Sequence, residues 1–263
     1  MLKLELFKVL GESFSYLKDN WKRYIGVSLI QVAFVAILLI APIYGWFKSE
    51  VVPTSIYYGA GLSVMMFFVL MIPMALLSVV FRNLYIAVTH DAYEDRDVPF
   101  KAQWKYAFRK SGSVILAMII YGLPIFIVTF VIQWFVVKDS KFLEFALNIL
   151  INTISFLFIL TEAAILVDDC SALEGIKRSI EIMKNNIFRY WGFAIGLGFL
   201  LLAPMMLLPF ILQVDFMFYV IISLLIPIGI YLMPLRDVFQ TLLYKSVQDP
   251  EDMLEEMLIN EEE

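Results

Sequence analysis

The chain has 263 residues, of which 61% are hydrophobic and 17% are charged. A soluble domain has about 45–50% apolar and about 25% charged residues, and here the apolar excess falls into runs longer than roughly 18 residues, the length that predicts a membrane span. The formal net charge of −5 arises in the last 19 residues, which hold eight acids and one base. The rest of the chain has no strongly basic patch, which argues against nucleic-acid binding.

Six apolar runs predict six transmembrane helices, and therefore an all-α polytopic membrane bundle. The spans are Tyr24–Phe47, Tyr57–Phe81, Gly112–Val137, Phe142–Asp168, Trp191–Gln213 and Phe216–Leu235. The second run continues to Thr89, so we expect Arg82–His90 to extend as helix beyond the bilayer into the cytoplasm.

Lys and Arg residues are distributed unevenly between the two ends of these spans. Seventeen of the 20 lie in the N-terminal segment, in the loops after the second and fourth spans, and in the C-terminal segment. The positive-inside rule assigns these segments to the cytoplasm. Tryptophans lie at the expected interfaces. We therefore predict a multi-pass protein of the cell membrane with both termini in the cytoplasm.

Two cytoplasmic segments match each other at an offset of 166 residues. Residues 18–26 and 184–192 share five of nine identities, and both follow an apolar stripe with a spacing of three or four residues. A weaker copy at 98–112 keeps Arg109 and Gly112. We interpret the chain as one domain, 1–248, made of three repeats that each place an amphipathic helix before a transmembrane hairpin. The repeats cover about 1–90, 91–169 and 170–248, and an acidic tail follows at 249–263.

The amphipathic helices are predicted to lie in the cytoplasmic interface, apolar stripe toward the membrane and basic residues toward the lipid headgroups. The basic residues with this predicted role are Lys18, Arg23, Arg109, Lys184 and Arg189. The expected partners are the lipid bilayer and anionic lipid. Such helices act either as sensors of curvature or lipid, or as anchors that fix the pitch of the following span.

The repeated segments resemble a broad group of uncharacterised prokaryotic six-span membrane proteins. The residues that carry the resemblance are Ala172–Ser179 and Lys184–Gly192. The group includes the membrane domain attached to some glycerophosphodiester phosphodiesterases. The resemblance implies a multi-pass fold, and no catalytic activity is transferred because the soluble phosphodiesterase barrel is absent from this sequence.

Ionisable groups inside spans are costly and are functional candidates. Glu162 lies near the cytoplasmic edge of span four, and Arg82 and Arg236 occupy similar depths after spans two and six. We expect Glu162 to pair with Arg82 or Arg236 at the inner mouth of the bundle. Such a pair either locks helix register or serves a substrate or proton site.

Asn148 and Asn152 lie one turn apart on span four, with Glu162 further along on roughly the same face of a continuous helix. Such a polar face either lines a path or hydrogen-bonds to neighbouring helices. Gln31 in span one is expected to bond between helices. Gly192 and Gly196 form a GxxxG pattern that permits close approach of a helix from this chain or from a second copy.

The sequence offers little catalytic chemistry. The chain has one Cys and one His, and no phosphate-binding loop, nucleophile elbow or zinc-protease motif is present. We therefore predict a non-enzymatic membrane protein without cofactor or metal, with a structural, accessory or partner-binding role that includes organising the membrane. The alternative is a small transporter or channel that uses the polar face of span four. The acidic tail either docks a soluble partner or keeps the chain end soluble, and the chain is a candidate homo-oligomer.

Overall fold

The computed structural model describes residues 5–49, 56–135, 140–197 and 227–248. Helices account for the regular structure of these ranges, with no strand among the described residues. The helices in chain order are α1 (Leu6–Asp19), α2 (Trp21–Ser49), α3 (Ile56–Tyr93), α4 (Phe100–Phe135), α5 (Lys141–Phe156), α6 (Thr161–Val167), α7 (Ala172–Met183), α8 (187–197), α9 (227–232) and α10 (Leu235–Gln248).

Local capping explains several helix ends. Ser171 caps α7 in a reciprocal capping box with Glu174, and the hydroxyl of Ser140 caps α5 by accepting from the backbone N–H of Leu143. Asp95 follows α3 and Asp169 follows α6, and both adopt positive φ angles near 50°. Aspartate is one of the few residues other than glycine that visits this left-handed region readily.

Three described stretches are long and apolar enough to cross a membrane. They are Ile72–Tyr93, Phe100–Trp134 and Lys141–Val167, with mean hydropathies of 1.6, 2.7 and 2.1. The second is almost entirely uncovered by the other described parts of the chain, with 6% of its apolar window buried. An apolar helix exposed in this way is typical of a surface that faces lipid.

The predicted spans can be compared with the helices only where the chain is described. Span two lies within α3, a single helix of 38 residues that continues to Tyr93, so the predicted helical extension after Phe81 is confirmed. Span three lies in α4, apart from residues beyond 135. Span four is divided between α5 and α6. Most of spans five and six, between 198 and 226, and the tail 249–263 lie outside the described residues.

The core lies where three helical segments meet. The C-terminal half of α3, the short helix α6 and α10 pack pairwise against one another, and their apolar side chains are almost fully buried. A second helix covers each segment: the N-terminal half of α4 packs on α3, α7 packs on α6, and α1 packs on α10. The first described helix therefore contacts the last.

The helices α1 and α7 bury Leu17, Ile176 and Met183 of the apolar stripes found in the sequence, and the rest of their core face lies beside the stripe. The core side of α1 consists of Leu6, Val9, Ser13 and Leu17. Other members of these stripes are exposed, among them Phe7 and Phe14 in α1, Trp21 at the start of α2 and Leu173 in α7. In α1 an exposed apolar face thus lies beside the core face, and it is available to a membrane interface.

Candidate functional site: a buried ion cluster

An ion cluster lies where the three core segments meet. Nη2 of Arg82, on α3, is 2.5 Å from Oε2 of Glu162 on α6. Nε of the same guanidinium is 3.5 Å from Oδ1 of Asp237 on α10. The exposed fractions of the three side chains are 20%, 8% and 5%, respectively. One guanidinium therefore joins two carboxylates from two other helices.

The predicted pairing of Glu162 with Arg82 is confirmed. The other candidate, Arg236, is exposed and its charge acts on the cluster only from a distance. Asp237, the second acid of the cluster, is not among the residues predicted from the sequence. The available signal was an acid placed directly after Arg236 at the end of a long apolar run.

Burial changes the chemistry of Asp237. Removal from water raises the pKa of this carboxyl to about 7, and the nearby charge of Glu162 acts in the same direction. The positive charges of Arg82 and Arg236 oppose this rise. Asp237 therefore takes up or releases a proton near neutral pH, which changes the charge of the cluster around Arg82.

The prediction that Asn148, Asn152 and Glu162 share one face of a continuous helix is wrong. The helix α5 ends at Phe156 and α6 begins at Thr161. Both asparagines are exposed, and the side chain of Asn152 donates to the backbone oxygen of Asn148 at 2.8 Å. Glu162 points into the core instead. No single polar face runs along span four.

A serine from a neighbouring helix accompanies this break. The hydroxyl of Ser179 on α7 donates to the backbone oxygen of Leu157 at 2.7 Å and accepts from the backbone N–H of Leu160 at 3.2 Å. Between the two helices the backbone makes successive bonds to the residue three positions earlier, as in a 3₁₀-helix. This tighter winding rotates the following residues and turns Glu162 toward Arg82.

Other predicted polar contacts lie between α2 and α3. The amide oxygen of Gln31 accepts from the hydroxyl of Tyr85 at 3.0 Å, as expected for a residue that bonds between helices. The same tyrosine oxygen lies 2.9 Å from the hydroxyl of Ser28, and Tyr24 pairs with Thr89 at 2.9 Å. These hydroxyls form a hydrogen-bonded contact between α2 and α3 that is not among the features predicted from the sequence.

The glycine pair on α8 has no close helix beside it among the described residues. A Cβ placed on Gly192 would meet nothing within 4 Å. One placed on Gly196 would lie 3.4 Å from the ring of Phe7. In the described part of the chain, an aromatic side chain of α1 therefore packs at this position, rather than the backbone of another helix.

The predicted interfacial basic residues lie on the surface. Lys18, Arg23, Lys184 and Arg189 are exposed. Arg109 is also exposed, and its guanidinium lies 3.9 Å from a carboxylate oxygen of Asp169. The five residues do not converge with the ion cluster, which is buried between the helices that carry them.

No protein-family model, curated protein or solved structure matches this chain. What the chain does must therefore follow from its own geometry. Among the described residues, no group of three or more His, Cys, Asp or Glu side chains is placed to hold a metal ion. A guanidinium shared by two buried carboxylates suits one of two roles. It fixes three helices relative to one another, or it belongs to a cluster that takes up and releases a proton at Asp237.

Proposed function

We propose that this chain is a non-enzymatic multi-pass protein of the cell membrane with a structural or partner-binding role, and that it organises the lipid around it. Six apolar runs and the uneven distribution of Lys and Arg support six spans with both termini in the cytoplasm. The three described helices that are apolar enough to cross a membrane are consistent with this arrangement. The resemblance to prokaryotic six-span proteins supports the same fold.

We further propose the three-repeat architecture. Its support is that α1 and α7 bury equivalent positions at the offset of 166 found in the sequence. The equivalent buried pairs are Leu6 and Ala172, Val9 and Gly175, Ser13 and Ser179, and Leu17 and Met183. In addition, the cytoplasmic helix of each proposed repeat packs on the end of a hairpin from a different repeat.

The observation that carries the structural role is the direct contact within the ion cluster. At 2.5 Å between Arg82 and Glu162, the two charges leave no space for a water molecule or substrate between them. The two asparagines that would have lined a path lie on the outside of α5. The polar groups of span four therefore favour helix packing over transport.

Cysteine accessibility along span four tests this function. In a Cys170→Ser background, the variants Asn148→Cys and Asn152→Cys are treated in whole cells and in inverted vesicles with a membrane-impermeant thiol reagent. We expect no labelling from either side, because these positions face lipid in the proposed fold. The matched controls Lys18→Cys and Lys184→Cys should be labelled in inverted vesicles only.

Labelling at positions 148 and 152 would reject the structural role and would support the alternative, a small transporter or channel. A flux assay in proteoliposomes would then be the next measurement. Labelling of the Lys18 or Lys184 controls in whole cells would instead reject the cytoplasmic assignment of the termini and loops. The acidic tail 249–263 remains a proposed docking segment for a soluble partner.

A further inference from the structure

Two clefts lie at the surface where one helix faces the beginning of another. The first has a volume of about 460 Å³ and lies between the N-terminal part of α2 and the segment that leads into α4. It is lined by Lys22, Arg23 and Gly26 on one side and by Asp97 and Phe100 on the other. The second, of about 400 Å³, lies between α8 and the start of α1.

The two clefts are built from equivalent residues. Arg23 and Gly26 line the first, and Arg189 and Gly192, which follow at an offset of 166, line the second. Each cleft is lined by three charged side chains. They are Lys22, Arg23 and Asp97 in the first cleft, and Lys8, Arg189 and Glu5 in the second. Each cleft therefore has two cations and one carboxylate, a net charge of +1.

Each cleft offers an unpaired guanidinium beside open space. Neither Arg23 nor Arg189 forms a salt bridge within 4.0 Å with any described carboxylate. The arginine and the glycine three residues later lie on the same side of the helix. A Cβ at either Gly26 or Gly192 would meet nothing within 4 Å, so the helix surface beside the guanidinium is free for a ligand.

The pattern of an arginine followed by a glycine three residues later occurs a third time, and there a carboxylate of the chain itself lies beside the arginine. Arg109 and Gly112 keep the spacing, and Gly112 is also open. Here a carboxylate oxygen of Asp169 lies 3.9 Å from Arg109 and 2.7 Å from Nζ of Lys110. These contacts hold the pKa of Asp169 below its usual range, so it is a permanent anion at neutral pH.

We propose that each of the two open clefts binds the headgroup phosphate of one anionic phospholipid, and that Asp169 takes the place of that phosphate in the third copy. Guanidinium groups match phosphate oxygens in a bidentate geometry, and the net charge of each cleft complements a single negative charge. Apolar side chains such as Ile30 and Phe193 line the same clefts and suit the glycerol and upper acyl chains. This inference rests on the proposed membrane embedding.

Native mass spectrometry of the full chain, released from detergent and titrated with phosphatidylglycerol, counts the bound lipids. We expect two tightly bound lipids per chain. Arg23→Gln or Arg189→Gln alone should leave one, and the double variant none. Phosphatidylethanolamine and phosphatidylcholine should be retained at lower occupancy than phosphatidylglycerol, and free glycerol phosphate should not be retained. Equal retention of the zwitterionic lipids would overturn the anionic specificity.

The third copy supplies matched controls. Arg109→Gln should leave the count at two, because this arginine already has a carboxylate partner. Asp169→Asn should raise the count to three, and asparagine suits the positive φ at this position. The site is rejected if Arg109→Gln lowers the count as much as Arg23→Gln does, or if neither Arg23→Gln nor Arg189→Gln lowers it.

The buried thiol of Cys170 reports whether each variant is folded. If the double variant does not fold, the increase to three bound lipids expected for Asp169→Asn still tests the proposal. Two retained lipids together with aqueous labelling at positions 148 and 152 would reject the structural function and leave the lipid sites in place. Loss of the bound lipids without aqueous labelling at positions 148 and 152 would reject the lipid sites and leave the structural function in place.

Discussion

At the scale of single residues, Arg82 has the largest expected effect on stability. Its removal would leave Glu162 and Asp237 facing each other inside the core without a cation. Removing one partner of a buried ion pair typically costs about 3–5 kcal/mol. We therefore expect Arg82→Met to lower the free energy of unfolding by about 3 kcal/mol or more. Urea unfolding in detergent, followed through the reaction of Cys170 with a fluorescent maleimide, measures this change.

Arg236→Met is the matched control for this prediction. It removes the same type of charge next to the cluster, but from an exposed side chain. Exposed substitutions usually change stability by about 0.5 kcal/mol or less. Equal losses in the two variants would show that the guanidinium of Arg82 does not hold the cluster together.

The raised pKa of Asp237 predicts that the stability of the folded chain depends on pH. Its pKa is raised in the folded chain to about 7, above the ordinary value of 3.8, so the folded state binds the proton more tightly than the unfolded state. An acid with this shift makes stability fall as pH rises between the two values and adds no further change above the higher one. We expect the melting temperature of the native chain, relative to that of Asp237→Asn, to fall between about pH 4 and 7.

Above pH 7 the difference in melting temperature between the native chain and Asp237→Asn should be constant. The comparison with the variant removes the contributions of other carboxyl groups, which both chains share. A difference that does not change with pH across this range would show that Asp237 is charged throughout, with an ordinary pKa.

At the scale of helices, Gly175 lies where α7 packs closely against α6. A Cβ at this position would lie 2.5 Å from Cγ1 of Ile165 and 3.2 Å from the backbone oxygen of Thr161. Gly175→Ala must therefore displace the Ile165 side chain or move α7 away from α6, and overpacking of this kind typically costs about 1–3 kcal/mol. Because Cys170 lies between these two helices, its rate of thiol labelling in the native state should rise.

Gly11→Ala is the matched substitution in α1. A Cβ at Gly11 meets nothing within 4 Å, and alanine favours a helix over glycine by up to about 1 kcal/mol. We expect a neutral or slightly more stable variant with unchanged labelling of Cys170. Destabilisation by both substitutions to the same extent would contradict a specific contact between α6 and α7.

The described helices were largely predictable, because long apolar runs are a local signal. The break between α5 and α6 was not, since the hydroxyl of Ser179 that bonds to both sides of it comes from another helix. The candidate site was predicted only in part for the same reason, because local signals in the sequence do not contain contacts from other helices. The depth of Glu162 and Arg82 along their spans predicted their pairing, whereas the turn that separates Glu162 from Asn148 and Asn152 depends on tertiary contacts.

At the scale of the whole molecule, α4 presents the most extensive apolar surface that the described chain leaves uncovered. Phe126 is 66% exposed and Trp134 is 65% exposed, while Val114 on the same helix is fully buried. A spin label at Phe126→Cys, in a Cys170→Ser background, should be mobile and accessible to oxygen but not to a water-soluble nickel reagent. A label at Val114→Cys should be immobilised and inaccessible to both.

Two other results at position 126 would change the architecture. Accessibility to the nickel reagent would place this face of α4 in water and would contradict a transmembrane α4. An immobile label with spin–spin broadening would place a second copy of the chain against it, and the protein would then be a homo-oligomer.

The contact of α1 with α10 has a consequence for biosynthesis. The face of α1 that carries Leu6, Val9 and Leu17 is covered by a helix that the ribosome makes more than 200 residues later. During synthesis this face has no protein partner, and the neighbouring apolar face with Phe7 and Phe14 can hold the helix at the membrane surface meanwhile. Nascent chains stalled before Leu235 should therefore present α1 to proteases, and its protection should appear abruptly once α10 has left the ribosome.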